Sequence, residues 1–492
     1  MSMIRVQNLS FTYEGSSAPV FENVSFYIDT DWKLGFTGRN GRGKTTFLQL
    51  LTGKYAYTGK IDASVRFTYF PFAVFRTERC AQDVLQDVCP QAEDWQILRE
   101  LSCLQVDAQA LYRPFAALSN GEQTKMLLAA LFLNDNDFLL IDEPTNHLDA
   151  DARAVVSRYL QSKKGFILVS HDRAFLDGCV DHILSINKTD IEIQSGNFSS
   201  WLLNYEKRQS FEAAQNDRLQ KDIDRLNESA KRTSGWSEKT EASKYGKADS
   251  GLKKDKGYVG HKAAKLMKSA KATQLRRQKA IEQKSDLLRN TETSERLKMF
   301  PLAYRGDRLL SFANAAILYD DRTVCPPVSF TLSQGERIAL CGKNGCGKSS
   351  FLRLVAGEPV RHTGDFRRAS GLIISYVPQT AVAFDGDLSD FARAHRLDES
   401  LFKAILHKMD FSKKDFDGKI ASFSQGQQKK VLLAKSLCER AHLYIWDEPL
   451  NYIDVFSRLQ IENLLREFQP AMLFTEHDKA FLDAVATRVV PL

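Results

Sequence analysis

The sequence predicts an α/β fold, duplicated in tandem and joined by an antiparallel α-helical hairpin. Three observations point there. Strand-like and helix-like patterns alternate over residues 1–204 and again over residues 306–492, the alternation that builds a parallel sheet covered by helices. Matching landmarks recur at a nearly constant offset: Gly38 and Gly342 stand 304 residues apart, Ser119 and Ser424 as well as Asp142 and Asp447 stand 305 apart, and His171 and His477 stand 306 apart. That constancy means a duplicated domain. Between the copies, Lys231 to Lys279 holds fifteen Lys and Arg against four Asp and Glu, a net +11 in a chain whose total is +7.

In the first copy, Ile4 to Tyr13 and Val20 to Ile28 carry strand patterns, Lys33 to Thr37 leads into a glycine-rich loop, and Thr45 opens a helix that runs to Leu51. In the middle, Tyr205 to about Ala230 has helical spacing, with Leu219, Ile223 and Leu226 on one face. Gly246, Gly251, Gly257 and Gly260 interrupt it, and His261 to Lys298 is expected to be helical again, with Met267, Ile281 and Leu288 on a heptad-like face. The expected architecture is therefore a first α/β domain over 1–204, a basic helical linker over 205–305 with its tip at about 240–262, and a second α/β domain over 306–492.

The glycine-rich loops explain the chemistry of both copies. Gly38, Asn40, Gly41, Gly43, Lys44 and Thr45 spell GxxxxGK[ST], and Gly342, Asn344, Gly345, Gly347, Lys348 and Ser349 spell it again. Glycines let backbone N–H groups wrap a phosphate, the following helix adds positive potential, and the lysine reaches the β and γ oxygens. Thr46 and Ser350 follow inside the helix. The apolar runs Phe138 to Ile141 and Leu443 to Trp446 each end in paired carboxylates, Asp142–Glu143 and Asp447–Glu448. A buried strand delivers such acids to the ligand-binding end of an α/β sheet. The first acid of each pair suits Mg²⁺, together with Thr45 and Ser349, and the second suits polarising the attacking water. His171 and His477 follow further apolar strands, where an imidazole can reach a γ-phosphate. The substrate and cofactor expected are ATP and Mg²⁺.

These residues carry a resemblance. Ser119, Gly121, Glu122 and Gln123, with Ser424, Gly426, Gln427 and Gln428, resemble the ABC ATPase signature, and Thr145 to Asp149 and Leu450 to Asp454 resemble its D-loop. Tyr13 and Tyr319 stand where that family stacks an aromatic ring on adenine. The resemblance implies two tandem ABC-type P-loop domains that close head-to-tail, with ATP between one copy's phosphate loop and the other's signature. Gln379 matches the family's metal-contacting glutamine, but the first copy reads Tyr69-Phe70-Pro71-Phe72. Phe72 cannot take that role, so the two sites are expected to hydrolyse ATP differently.

The linker suits a nucleic acid. Lys244, Lys247, Lys253, Lys254, Lys256, Lys262, Lys265 and Lys268 are placed to neutralise phosphates. Trp236, Tyr245, Tyr258 and His261 offer stacking surfaces for exposed bases, and Leu252 and Val259 form apolar tips. Lys256 to Lys268 resembles the linker of Lsa-type antibiotic-resistance ABC-F proteins. That resemblance implies docking on the 70S ribosome at the tRNA exit site, with the hairpin reaching past the P-site tRNA toward the 23S rRNA of the peptidyl-transferase centre. Lincosamides, streptogramin A and pleuromutilins would be displaced there.

No window approaches the roughly 18 consecutive apolar residues of a membrane helix, and the N-terminus has no apolar signal-peptide core. The eight cysteines are scattered without metal-ligand spacing, which agrees with reduced thiols in the cytoplasm. Pairing of the copies within one chain argues for a monomer. A housekeeping ABC-F translation factor and the detached ATPase pair of a transporter remain as alternatives.

Overall fold

A computed structural model describes residues 2–15, 19–72, 74–134, 137–146, 148–186, 191–212, 214–216, 297–319, 322–380 and 384–492, with single positions at 218, 221, 265, 268 and 272. The chain divides into two compact units, Met1–Trp201 with Ser294–Leu492, and Leu202–Thr293.

In the first cassette, β1 (Met3–Phe11), β2 (Phe21–Asp29) and β4 (Thr58–Asp62) form an antiparallel sheet in the order β2-β1-β4. β1 alternates, with Ile4, Val6, Leu9 and Phe11 buried, as a strand covered on one face must. A second sheet runs β5-β6-β7-β3-β8-β9, from β3 (Lys33–Gly38), β5 (Arg66–Phe70), β6 (Asp137–Asp142), β7 (Phe166–Val169), β8 (His182–Ile186) and β9 (Ile191–Ser195). All its pairs are parallel except β8 with β9. β7 is buried at every position and β6 at all but its first, the continuous apolar run of a strand with layers on both faces. Helix α1 (Lys44–Leu51) seats Phe47 against Phe36 and Phe21 in the core between the two sheets. The lid of short helices comprises α2 (Ala81–Val88), α3 (Asp94–Cys103) and α4 (Asn120–Leu131). α5 (Ala150–Gln161) and α6 (Arg173–Cys179) complete the cassette.

The second cassette repeats this plan. β10 (Arg308–Tyr319) pairs with β11 (Arg322–Thr323), β12 (Val328–Ser333) and β14 (His362–Arg368). The parallel sheet runs β15-β16-β17-β13-β18, from β13 (Arg337–Cys341), β15 (Ile374–Val377), β16 (Leu443–Asp447), β17 (Met472–Thr475) and β18 (Arg488–Pro491). Its helices are α7 (Lys348–Ala356), α8 (Leu388–Ala394), α9 (Glu399–Lys408), α10 (Lys413–Phe416), α11 (Gln425–Cys438), α12 (Val455–Phe468) and α13 (Lys479–Val485). Trp446, Phe402, Phe474 and Phe481 fill the core on the helical side, and the buried Trp446 indole donates to Ser436 Oγ at 2.9 Å.

The linker is described only in part. Lys265 and Lys268 are helical and exposed. Trp236, Lys244, Tyr245, Lys247, Leu252, Lys253, Lys254, Lys256, Tyr258, Val259, His261 and Lys262 lie outside the described residues. The expected helix end at Lys298 is corrected: Leu297 to Phe300 are not helical, and Leu297 and Met299 are buried in the second cassette's core. Burial alternates there ahead of Pro301, so this irregular segment anchors the return, and Leu302 N donates to Ala441 O at 2.8 Å.

Candidate functional site

Each phosphate loop leaves the end of a parallel strand and turns into a helix. Gly43 holds φ 90° as the N-cap of α1, and a Cβ there would stand 2.5 Å from Val20, so only glycine fits. Lys44 is buried, and its Nζ donates to Gly38 O at 2.6 Å and Arg39 O at 3.2 Å. Lys348 repeats this with Gly342 O at 2.7 Å and Lys343 O at 2.9 Å. Burial pulls the Lys44 ammonium down, and the carboxylates of Asp454, Glu143 and Asp142 oppose that. Tyr13 Oη lies 2.7 Å from Thr46 Oγ1, and Tyr319 Oη lies 2.6 Å from Ser350 Oγ. Both rings are thereby tethered beside the loops; Tyr319 is half exposed, and Tyr13 packs against Phe11 and Tyr55.

The carboxylate pairs sit as the strands place them. Thr45 Oγ1 donates to Asp142 Oδ2 at 2.8 Å, and Tyr69 Oη donates to the same oxygen at 2.9 Å. A hydroxyl beside a carboxylate is the hard oxygen donor set that suits Mg²⁺. Burial raises both Asp142 and Asp447, against hydrogen bonds from Thr45 and Tyr69 to the first, and from Thr475 and Ser349 to the second. Glu143 and Glu448 follow at φ 52° and 44°, in the left-handed region, and each has an imidazole Nε2 3.4 Å from Oε1, that of His171 or His477.

Beyond that shared frame the two acids differ. Glu448 Oε2 accepts from Gln379 Nε2 at 2.9 Å and Asn451 Nδ2 at 2.6 Å. Burial disfavours its charge, yet His477, Gln379 and Asn451 together hold it at about 2. Glu143 Oε1 is buried without a hydrogen bond. Burial, and then the Asp142 charge, push Glu143 up to about 8. His171 is buried, and burial holds its imidazole well below the ordinary value. Gln379, expected at the metal, rests on Glu448, and Phe72 supplies no such amide to Glu143.

The two signatures meet the opposite loops unequally. Ser119 caps α4 and Ser424 caps α11, each in a reciprocal capping box, with Glu122 and Gln427 respectively. A cavity of about 990 Å³ lies between the first signature and the second phosphate loop. Ser119, Gly121 and Glu122 line one wall, and Asn344, Gly345, Gly347, Lys348, Ser349 and Ser350 line the other, with Tyr319, Gln379, Glu448 and His477 beside them. The opposite face is packed. Asn40 Nδ2 donates to Tyr452 O at 2.9 Å, and a Cβ on Gly426 would stand 2.6 Å from that carbonyl and 3.1 Å from the Asn40 amide. Asp410 lies 3.4 Å from Arg39 and 3.9 Å from Arg42, and Arg173 reaches Glu462 at 2.8 Å. Gly41 of the same loop is exposed, with φ 78° and open space around it.

Gln123 and Gln428, expected at the nucleotide, bond within their own cassettes in this structure. Their amides donate to carbonyls of their own cassettes, Gln123 to Phe115 at 2.9 Å and Leu118 at 3.1 Å, Gln428 to Ile420 at 3.3 Å. Gln427 likewise turns to Asp415 at 2.9 Å. These side chains tie the segment ahead of each signature to its helix. Sequence reasoning missed Tyr69, Asn451, Asp410 and Lys429. Aligning the copies residue by residue exposes Lys429, because Thr124 takes its place in the first copy.

Two sheets each ending in a phosphate loop and a carboxylate pair, with the partner signature opposite, define a tandem-cassette P-loop ATPase. The chain belongs to the ABC transporter family, whose model matches residues 21–146 and 325–451. Such domains hydrolyse ATP with Mg²⁺. The chain is 27% identical to the ribosome protection protein VmlR of Bacillus subtilis, over 98% of this chain and 85% of that protein. It is 26% identical to the energy-dependent translational throttle protein EttA of Escherichia coli strain K12, covering 96% and 89%. It is 25% identical to ABC transporter F family member 2 of Arabidopsis thaliana, covering 99% and 76%. Among solved structures, archaeal ribosome recycling factor aABCE1, in complex with the stalk protein aP1, shares the fold at a TM-score of 0.64 with 18% identity, over 98% of this chain and 87% of that one. Among the described residues no helix is long and apolar enough to cross a membrane.

Proposed function

We propose that the chain is an ATP-driven ribosomal protection factor of the ABC-F kind, a cytoplasmic monomer whose cassettes close on nucleotide and set the pose of the basic linker. The observation that carries this is collinear similarity to a ribosome protection protein over 98% of the chain, a span that takes in the +11 segment between the cassettes. In this reading the protein docks at the tRNA exit site beside the P-site tRNA. Its linker approaches the peptidyl-transferase centre and displaces lincosamides, streptogramin A and pleuromutilins.

The site residues take the following roles. Lys44 and Lys348 hold the β and γ oxygens, and Tyr13 and Tyr319 stack on adenine. Thr45 with Asp142, and Ser349 with Asp447 and the nearby Gln379, hold Mg²⁺, which neutralises charge on the transferring phosphoryl group when bound. Glu448 is kept ionised by three donors and polarises water. Glu143 takes the same place at the first site but, without an amide like that of Gln379 and pushed up to about 8, it is the less available base near neutral pH. Ser119 with Gly121, and Ser424 with Gly426, complete the opposite phosphate cages. Lys265 and Lys268, exposed on helix, belong to the RNA-facing linker.

The test is a drug-susceptibility panel on a sensitive bacterium expressing the chain. Raised tolerance to those three drug classes, lost when residues 245–260 become a short flexible loop, supports the proposal. A second reading, a housekeeping ABC-F translation factor, is favoured by the similarity to EttA over 96% of the chain. Unchanged susceptibility, together with ribosome-stimulated ATP hydrolysis, selects it.

A further inference from the structure

Helix α11 touches both nucleotide sites. At its N-terminus, Gly426 lies against Asn40 of the first phosphate loop. About one turn further on, Lys429 serves the second site. Its residue is 3% exposed, and Nζ donates to Pro378 O at 2.8 Å, Gln379 O at 3.2 Å and Asp447 O at 3.0 Å. An ammonium has three donors and no acceptor, so these carbonyls satisfy all of them. Burying a cation is costly unless it is fully bonded, and here every bond ends on the Gln379 loop or the Asp447 strand. Those two segments deliver the amide and the carboxylates of the second site.

The first cassette lacks this strut. Thr124 stands in the matching place, and its hydroxyl donates to Asn120 O of its own helix at 2.8 Å. Beside it lies a cavity of about 330 Å³ lined by Thr45, Pro71, Asp142 and Glu143, among others. Pro71 and Asp142 correspond to Pro378 and Asp447 in the repeat, so the space lies next to the first-copy counterparts of the carbonyls that Lys429 engages.

We propose that Lys429 is a positioning residue that couples the sites through a single helix: movement of α11 at the first phosphate loop passes through its ammonium to the Gln379 loop and the Asp447 strand of the second site. Thr124, bonded within its own helix, gives the first copy no matching strut. The proposal rests on the roles given above to Gln379, Asp447 and Glu448.

The experiment measures steady-state ATP turnover of the full chain. It compares wild type, Lys429→Met, Lys429→Arg and Gln379→Ala, each alone and combined with Glu143→Gln. In the Glu143→Gln background, where turnover reports the second site, Lys429→Met is expected to lower kcat roughly tenfold with KM within about twofold, since misplacing reacting groups slows chemistry more than binding. Lys429→Arg restores part of that. Adding Asn40→Ala, which removes the amide lying against Gly426, slows the same background further but changes it by less than about twofold once Lys429 is Met, because coupled residues are not additive. Unchanged second-site kcat in Lys429→Met, or an undiminished effect of Asn40→Ala, overturns the proposal. Should the methionine variant fail to fold, Thr124→Lys fills the first-copy cavity instead. In the Glu448→Gln background, where turnover reports the first site, it is expected to change kcat several-fold, and an unchanged kcat overturns the role given to the buried ammonium. A Gln379→Ala variant with wild-type turnover refutes the site reading itself. A slow Gln379→Ala beside a normal Lys429→Met refutes only the coupling.

Discussion

Replacing Lys430 by methionine removes half of an ion pair sealed from water. Its Nζ lies 2.9 Å from Asp454 Oδ2, and the two side chains are 4% and 0% exposed. Lys430 also donates to Met409 O at 2.8 Å. Asp454 accepts in addition from Ser457 N and Ser457 Oγ, both at 2.9 Å, as it caps α12. Burial alone would raise the Asp454 carboxyl. Lys430 and the Ser457 amide outweigh it and hold the group far below the usual carboxylate range. Without Lys430 a buried carboxylate keeps only the Ser457 donors, and breaking a buried pair in this way costs about 3–5 kcal/mol. With roughly 2–4 °C per kcal/mol for a domain of this size, the second cassette's calorimetric transition should fall by about 6–20 °C. Lys430→Met with Asp454→Ser removes both charges and keeps a capping hydroxyl, so it should recover at least half of the loss. The sign with pH follows from a depressed carboxyl. Its contribution is complete above the unfolded value of about 4 and is lost as pH falls below it, so the gap between wild type and Lys430→Met narrows on acidification. A single variant melting within about 2 °C of wild type, or a double variant less stable than the single, refutes the reasoning.

Glu143→Gln and Glu448→Gln should leave different residual turnover, because Glu448 has Gln379 and Asn451 on its carboxylate and Glu143 Oε1 accepts nothing; identical rates in a phosphate-release assay count against two unlike sites. Asp410→Ala removes partly exposed pairs to Arg39 and Arg42, each worth about 0.2–1 kcal/mol. The packed face should loosen by that order at low salt and by less at high ionic strength, as read by a fluorophore pair across the cassettes. Tyr319→Ala should raise KM for ATP several-fold while Tyr319→Phe, which keeps the ring, stays near wild type; equal effects would remove stacking as the ring's role.

Much of the fold was legible because its signals are local. The phosphate loops, the apolar strands ending in Asp142 and Asp447, and the offset of about 305 all follow from short-range chemistry written twice. Phe72 was legible as a departure for the same reason. Lys429 and Asp410 were not, since their partners lie in distant segments: Pro378 and the Asp447 strand for one, Arg39 and Arg42 for the other. A lysine five residues into a helix looks like a solvated charge until tertiary packing closes over it. The end of the linker was misjudged because charge and helix propensity run past Ser294, while Leu297 and Met299 are claimed by the second cassette's core.

The left-handed backbone at Glu143 and Glu448 carries a lasting thermodynamic burden. That conformation disfavours residues with a Cβ by about 1–2 kcal/mol. Asparagine tolerates it better. Both cassettes thus keep their acids at positions where a shorter amide would make a sturdier protein with no base, and selection for stability alone would drift away from catalysis there.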